Sequence, residues 1–162
     1  MDSDDRILAA ASEGDYAALR ELFREYAAWL KVDYCLKDFD AELAQLPVIH
    51  AAPAGGLWLA RIEGEPAGCV AVRPLAEGLC EMRRLWVRDR YRGAKLGRGL
   101  AEAALAGARA AGHKEMSLET VDDMAAAHRL YASLGFREAA GDDDLPGNVR
   151  RLVCDLTAPA PV

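Results

Sequence analysis

The sequence predicts a single α/β domain in which helices cover both faces of a mixed sheet. Residues 57–87 contain three strand-like runs separated by short turns, as in an antiparallel meander. Residues 79–120 then carry a strand, a strongly helical segment and another strand, which is the pattern of a β-α-β crossover. The 162 residues are enough to bury one substantial core, and they contain no internal repeat and no linker-like segment.

The first elements are a strand and two helices. A short strand over residues 5–10 precedes a helix that Ser12 or Asp15 can cap. Apolar positions of that helix recur at helical spacing: Leu19, Leu22, Phe23, Tyr26 and Leu30. A second helix over residues 37–46 is expected to stop before Pro47.

Strands dominate the rest of the chain. We expect strands over 57–62 and 68–72, joined by a hairpin at 63–66, and a third strand over 79–87. The later elements are a helix over 97–111, a strand over 115–120, a helix over 123–134 closed by Gly135 in a left-handed conformation, and strands over 136–138 and 149–156. Residues 158–162 are expected to fray, so the predicted domain covers residues 5–157.

Composition excludes several classes of protein. The chain is 52% hydrophobic and 28% charged, which is ordinary for a soluble globular domain. A net charge of −6 argues against nucleic-acid binding, and no apolar run approaches the roughly 18 residues that a membrane span needs. The N-terminus lacks the features of a signal peptide. Four cysteines without C-x-x-C spacing, Cys35, Cys69, Cys80 and Cys154, are expected to be buried thiols in a reducing cytoplasm.

The basic turn at residues 92–99 is the most informative segment. Gly97 and Gly99 lie in the first turn of a helix, where each glycine costs roughly 1 kcal/mol relative to alanine. That turn presents unpaired N–H groups and the positive end of the helix dipole, which together bind anions. Three cations surround it: Arg92, Lys95 and Arg98. This segment alone leaves open whether the turn binds phosphate or only connects two elements.

A second motif lies about 35 residues further on. Residues 127–136 have the pattern A-x-x-L-Y-x-x-L-G-F. The two motifs, in this order and at this separation, resemble the GNAT superfamily of N-acetyltransferases. Arg92 and Gly97 match the first and last positions of the family's phosphate signature, Gln/Arg-x-x-Gly-x-Gly/Ala. Lys95 stands where the first glycine is usual, and Met124 stands where asparagine is common.

The resemblance extends over most of the chain, although only residues 80–138 carry specific motifs. It implies a mixed, mostly antiparallel sheet and acetyl-CoA as cosubstrate, with the pantetheine arm along one strand and the pyrophosphate on the basic turn. The implied cosubstrate contacts are Leu85, Trp86, Val87, Arg92, Gly93, Ala94, Lys95, Leu96, Gly97, Arg98 and Gly99. The side chains of Leu96 and Leu100 are expected to point into the core.

Tyr131 has two interpretations. It lies at helical spacing with Ala127, Leu130 and Leu134, so taken alone it is a core tyrosine. The resemblance implies instead that Tyr131 is the general acid that protonates the departing CoA thiolate.

Glu81 is the candidate general base, since an amine must lose a proton before it attacks a thioester. Strand alternation predicts that Glu81 shares a face with Arg83, Leu85 and Val87. The competing interpretation is an ion pair with Arg83, Arg84 or Arg73, without chemistry.

The predicted function is acetyl transfer from acetyl-CoA to the primary amine of a small molecule, by direct attack in a ternary complex. No cysteine, serine or histidine stands where a covalent acyl-enzyme would need it. No metal site is expected, because the histidines lack ligand spacing and Asp142, Asp143 and Asp144 lack the rest of a calcium loop. The resemblance implies that segments 25–40 and 139–149 flank the acceptor. Both segments are rich in Asp, Glu and Tyr, which favours a small cationic amine.

Two other functions stay open at this point. One is acetylation of a lysine or an N-terminal amine of a protein, and the other is a non-enzymatic acyl-CoA-binding module that regulates a partner. The sequence also leaves a homodimer open.

Overall fold

The computed structural model describes residues 6–30, 36, 38–93, 95–122, 124–139 and 145–158. Seven strands and five α-helices form within these residues. The strands are β1 Ile7–Ala9, β2 Gly56–Ile62, β3 Glu65–Ala76, β4 Leu79–Val87, β5 Glu115–Val121, β6 Arg137–Glu138 and β7 Val149–Asp155. The helices are α1 Glu13–Leu30, α2 Phe39–Ala44, α3 Leu46–Ile49, α4 Leu96–Ala110 and α5 Ala125–Ser133.

The strands form one sheet in the order β1-β2-β3-β4-β5-β7-β6. All neighbouring strands are antiparallel except β4 and β5, which are parallel and are joined through the crossover helix α4. A mixed, mostly antiparallel sheet is therefore confirmed.

Helices pack against both faces of this sheet, as expected. One core cluster joins α4 and α5 to the sheet and includes Leu100, Met116 and Tyr131. The opposite cluster joins α1, α2 and α3 to the sheet and includes Leu19 and Phe23. Alternating strand side chains supply both clusters, since successive residues point to opposite faces.

Local sequence signals set several boundaries. The β2–β3 connection has two central residues, Glu63 and Gly64, with φ of 52° and 81°, as a tight hairpin turn requires. Gly135 follows α5 with φ of 101°, which confirms the left-handed cap. α2 ends at Ala44, so the expected stop before Pro47 is confirmed, but the short helix α3 that follows was not expected. Pro47 lies in the first turn of α3, where its missing N–H needs no partner.

A β-bulge interrupts β4. Arg83 lies opposite Ala71 of β3, whereas Trp86 lies opposite Cys69, so β4 contains one extra residue between these pairs. Arg84 has a φ of 58°, in the left-handed region. Because of the bulge, the side chains of Arg83 and Arg84 both reach the α1–α3 face, where each contacts Glu42.

Cys69, Cys80 and Cys154 are free and buried, as expected, and Cys35 lies outside the described residues. Burial raises the pKa of Cys80 to about 12 and raises that of Cys69 further. No helix among the described residues is long and apolar enough to cross a membrane.

Candidate active site

A cleft of about 620 Å³ opens where β4 and β5 separate. The two strands pair only from Leu79 to Glu81 on β4, so their C-terminal halves diverge. Both divergent halves line the cleft, together with α1 and α5. Glu81, Leu85, Trp86, Val87, Arg92 and Tyr131, which sequence analysis assigned to the site, all line this one cleft.

The main chain of β4 borders the cleft between Leu85 and Val87. On one side, Trp86 and Val87 pair with Cys69 and Gly68 of β3. On the other side, the ladder to β5 has already ended at Glu81. The N–H and C=O groups on that side therefore face the cleft and can pair with an extended ligand.

The turn that precedes α4 has the backbone of an anion site. Gly93 and Lys95 have φ of 91° and 61°, so Lys95 adopts the conformation that glycine adopts easily. Lys95 is the N-cap of α4, and no side chain caps this helix end. The first-turn N–H groups of α4 are thus available to an anion. Ala94 lies outside the described residues.

The two glycines of this turn have different roles. A Cβ on Gly97 would come no closer than 4.0 Å to Val87 and Leu130, so Gly97 borders open space. A Cβ on Gly99 would come within 2.7 Å of the Ile7 side chain. Gly99 therefore allows α4 to pack against β1, and the packing explains this glycine without a ligand. Leu96 and Leu100 are buried in the core, as expected.

The cations around the turn are held by neighbouring side chains. The Arg92 guanidinium lies 5.1 Å from the Trp86 ring centroid, and its Nε donates to the Val87 carbonyl at 3.2 Å. Arg98 pairs with Glu102 at 2.8 Å and donates to the Ser133 hydroxyl at 2.9 Å. These contacts hold Arg92 across the end of β4 and Arg98 beside α5.

Tyr131 belongs both to the core and to the wall of the cleft. Its side chain is 8% exposed, and its ring packs edge-on against Phe136 with centroids 5.8 Å apart. No described residue forms a hydrogen bond with its hydroxyl. Burial raises the pKa of Tyr131, so the phenol stays protonated at physiological pH and can act as a hydrogen donor.

Glu81 lies in the ion pairs that the competing interpretation expected. Its Oε1 accepts a hydrogen bond from Arg73 at 2.9 Å and forms an ion pair with Arg83 at 3.2 Å. The expectation that it shares a face with Leu85 and Val87 is wrong. The bulge at Arg84 reverses the alternation, so Leu85 and Val87 pack on the α4 face while Glu81 stays beside Arg83.

Glu42, on α2, is a buried partner of the cleft arginines that the sequence did not reveal. It accepts a hydrogen bond from Arg84 at 2.7 Å and forms an ion pair with Arg83 at 2.9 Å, with only 4% of its side chain exposed. Burial opposes its ionisation, but the two guanidinium groups hold the pKa of Glu42 below its ordinary value. Burial lowers the pKa of the nearby His50 to about 4, so His50 is neutral.

Three aromatic side chains form the α1 side of the cleft: Tyr26, Trp29 and Trp86. Trp29 and Trp86 have centroids 5.4 Å apart, and Trp29 is 49% exposed. Sequence analysis took Tyr26 as a core position and did not single out Trp29. The acidic residues of segment 139–149 and Asp33 lie outside the described residues, whereas Glu25, Asp38 and Asp40 are described and do not line the cleft. Among the described residues, the charged ones that line it are four arginines and two glutamates: Arg73, Arg83, Arg84, Arg92, Glu81 and Glu119.

Comparisons with known proteins agree with this architecture. The acetyltransferase (GNAT) family model matches residues 16–136. An uncharacterized N-acetyltransferase of Schizosaccharomyces pombe is 38% identical over 125 residues, which cover 76% of this chain and 77% of that protein. The N-acetylaspartate synthetase of Mus musculus is 33% identical over 110 residues, which cover 65% of this chain and 37% of that protein.

A solved structure extends the likeness to the whole fold. The PaiA N-acetyltransferase of Thermoplasma acidophilum, crystallised in complex with coenzyme A, matches with a TM-score of 0.67 at 18% identity, covering 92% of this chain and 98% of that chain. Fold and family model together define an acyltransferase. The chain belongs to the GNAT family of acetyltransferases.

Proposed function

We propose that this chain transfers an acetyl group from acetyl-CoA to the primary amine of a small molecule by direct attack in a ternary complex. The observation that carries the proposal is the cleft at the divergence of β4 and β5. It brings a candidate base, Glu81, and a candidate acid, Tyr131, to the free edge of residues 85–87.

The residues around the turn fit acetyl-CoA. The uncapped first turn of α4 offers N–H groups to a pyrophosphate, and Lys95 and Arg92 lie beside it. The open space at Gly97 would be filled by a side chain at that position. The free edge of β4 from Leu85 to Val87 can hydrogen-bond the amide groups of a pantetheine arm. The bound cosubstrate supplies an activated acetyl thioester.

Two proton transfers would then accompany the reaction, one from the acceptor amine and one to the departing thiolate. Both guanidinium contacts of Glu81 use Oε1, so Oε2 is the oxygen available to take a proton from the acceptor amine. Tyr131, kept protonated by burial, would give a proton to the departing thiolate. Direct transfer is favoured because the described cysteines are buried thiols outside the lining of the cleft.

A small-molecule acceptor is favoured by the relatives. The N-acetylaspartate synthetases, at 33% identity, are named for the acetylation of a free amino acid. That activity belongs to proteins of which this chain matches little more than a third, so it supports the class of acceptor and does not identify it.

Substitution of Gly97 by Asp tests the cosubstrate site. The carboxylate would face the phosphates at close range, and we expect the affinity for acetyl-CoA to fall about 100-fold. Folding should be retained, because an acidic residue in the first turn of a helix interacts favourably with the helix dipole.

Gly14→Asp is the matched control, because Gly14 is likewise the second residue of a helix, in open surroundings. Calorimetric titration with acetyl-CoA measures both variants, and free CoA release with a panel of amines measures transfer. Unchanged affinity in Gly97→Asp would exclude the turn as the phosphate site, and no release with any amine would exclude the proposed transfer.

A further inference from the structure

Two arginines on the acceptor side of the cleft share their acidic partners. Arg73 and Arg83 line the cleft and both contact the same oxygen of Glu81. The second partner of Arg83 is Glu42, which also binds Arg84. Arg73 and Arg83 therefore share one oxygen of Glu81, and Arg83 also shares Glu42 with Arg84.

The Arg83 guanidinium and part of the Arg73 guanidinium are removed from solvent. The Arg83 side chain is only 12% exposed, and burial together with the neighbouring Arg84 lowers the pKa of its guanidinium. Arg73 is 37% exposed, yet its Nε is buried and has no hydrogen-bond partner among the described residues. Charged groups removed from water are stabilised by opposite charge, so an anion in the cleft would be favoured beside these two residues.

The position of the arginines indicates which anion fits. Arg73 lies directly opposite Glu81 in the β3–β4 register, and its guanidinium is 2.9 Å from the carboxylate that we propose as the base. A group bound by Arg73 is therefore close to the amine that Glu81 would deprotonate. An ammonium and a carboxylate on the same or adjacent carbon atoms match this spacing.

From this geometry we infer that the acceptor is an amino acid whose carboxylate is bound by Arg73 and Arg83 while its amine faces Glu81. The inference rests on the proposed function, whose acceptor site it makes specific. Arginine suits this task, because its planar guanidinium can bind a carboxylate through two parallel hydrogen bonds. This class of acceptor differs from the cationic amine that the acidic segments of the sequence favoured.

Matched pairs of acceptors test the inference. Each amino acid is compared with its carboxamide, which keeps the amine and loses the negative charge, and putrescine serves as a purely cationic acceptor. We expect kcat/KM to be at least about 10-fold higher for the best amino acid than for its carboxamide. A preference for carboxamides or for putrescine would overturn the inference and leave the proposed acetyl transfer intact.

Arg73→Gln then separates binding of the carboxylate from a structural role. For the amino acid, kcat/KM should fall about 10- to 100-fold, mainly through KM, whereas the value for the carboxamide should change less than about 3-fold. Arg73→Lys should recover part of the loss. Arg24→Gln removes an exposed arginine of α1 outside the cleft and should change neither value. An equal loss for both acceptors would assign Arg73 to structural support of Glu81 and overturn its role in recognition.

A binding measurement distinguishes failure of the amino-acid site from failure of the proposed acetyl transfer. Amino acids are titrated calorimetrically into the wild-type chain and into Arg73→Gln, each saturated with CoA. Weaker binding to the variant supports the anion site even when no amine is acetylated, in which case the proposed function alone fails. Equal binding to both chains, or no binding to either, overturns the site.

Discussion

Tyr131 is both a residue of the core and a residue of the cleft wall. Its ring fills the core beside Phe136, while the residue also lines the cleft. Burial of the ring also removes the phenol hydroxyl from water, so this hydroxyl needs a hydrogen-bond partner. A ligand in the cleft can supply that partner. The helical spacing that marked Tyr131 as a core residue was therefore correct, and it is compatible with the proposed role in proton transfer.

Tyr131→Phe keeps the ring and removes the proton donor. We expect turnover to fall about 10²- to 10⁴-fold, with acetyl-CoA affinity and thermal stability nearly unchanged. Steady-state kinetics and calorimetry measure these quantities, and Tyr16→Phe, which removes a hydroxyl outside this cleft, is the control. Full activity in Tyr131→Phe would restrict the residue to packing.

Glu81→Gln tests the proposed removal of a proton from the acceptor amine. The amide cannot accept a proton, so acetylation should slow most at a pH where the acceptor amine is still charged. As the pH rises, more amine is already deprotonated, and the deficit relative to the wild-type chain should shrink. Rate profiles between about pH 6 and pH 10 measure this. A deficit that stays constant across that range would indicate that Glu81 serves to hold Arg73 and Arg83.

At the scale of elements, the start of α1 is held by reciprocal hydrogen bonds. The Asp15 N–H donates to the Ser12 hydroxyl at 3.1 Å, and the Ser12 N–H donates to the Asp15 carboxylate at 3.2 Å. The Ala11 N–H and the Arg61 guanidinium also donate to Asp15, each at 3.0 Å. The sequence is compatible with either residue as the cap, and both take part in the structure, as a capping box.

The capping box makes the stability of the chain depend on pH. Hydrogen bonds from the Ala11 N–H and then from Arg61 lower the pKa of Asp15 from 3.8 to about 2. A carboxylate with a lowered folded pKa contributes its full stability above the unfolded value, and loses it as the pH falls towards the folded value. The contribution of Asp15 should therefore be complete above about pH 5 and disappear progressively towards about pH 2.

Asp15→Asn measures this contribution. The free energy of unfolding should fall by about 0.5 to 1 kcal/mol at neutral pH, because the helix dipole and Arg61 lose a charged partner. The difference from the wild-type chain should close as the pH drops from about 4 to about 2. Urea denaturation at several pH values measures it, with Glu77→Gln in an exposed turn as the control. A difference that is independent of pH would contradict the stabilising role of the Asp15 carboxylate charge.

At the scale of the whole molecule, the sequence predicted what local patterns can encode. The hairpin at residues 63–66 and the cap at Gly135 follow from backbone preferences of single residues, and the crossover follows from periodicity. The bulge at Arg84 breaks the strand period without a glycine or proline to mark it, so its effect on Glu81 could not be foreseen.

Contacts between residues far apart in the sequence could not be predicted either. Glu42 and Arg84 are 42 positions apart, and no local pattern records that α2 covers this part of the sheet. No sequence pattern marks an acidic partner for Arg84, although arginine is rarely buried unless it is paired. That rule could have prompted a search for an acid on a short helix, but it could not have selected Glu42.

The divergence of β4 from β5 has a consequence for how such a chain can evolve. Under the proposed function, main-chain groups of residues 85–87 and of the first turn of α4 bind the acyl donor, and they tolerate side-chain changes that leave the space at Gly97 open. Arg73 and Trp29 come instead from separate elements that line the acceptor side of the cleft, and each can be replaced. Under the proposed function, this lineage could exchange one acceptor for another by a few point mutations while it keeps the same acyl donor.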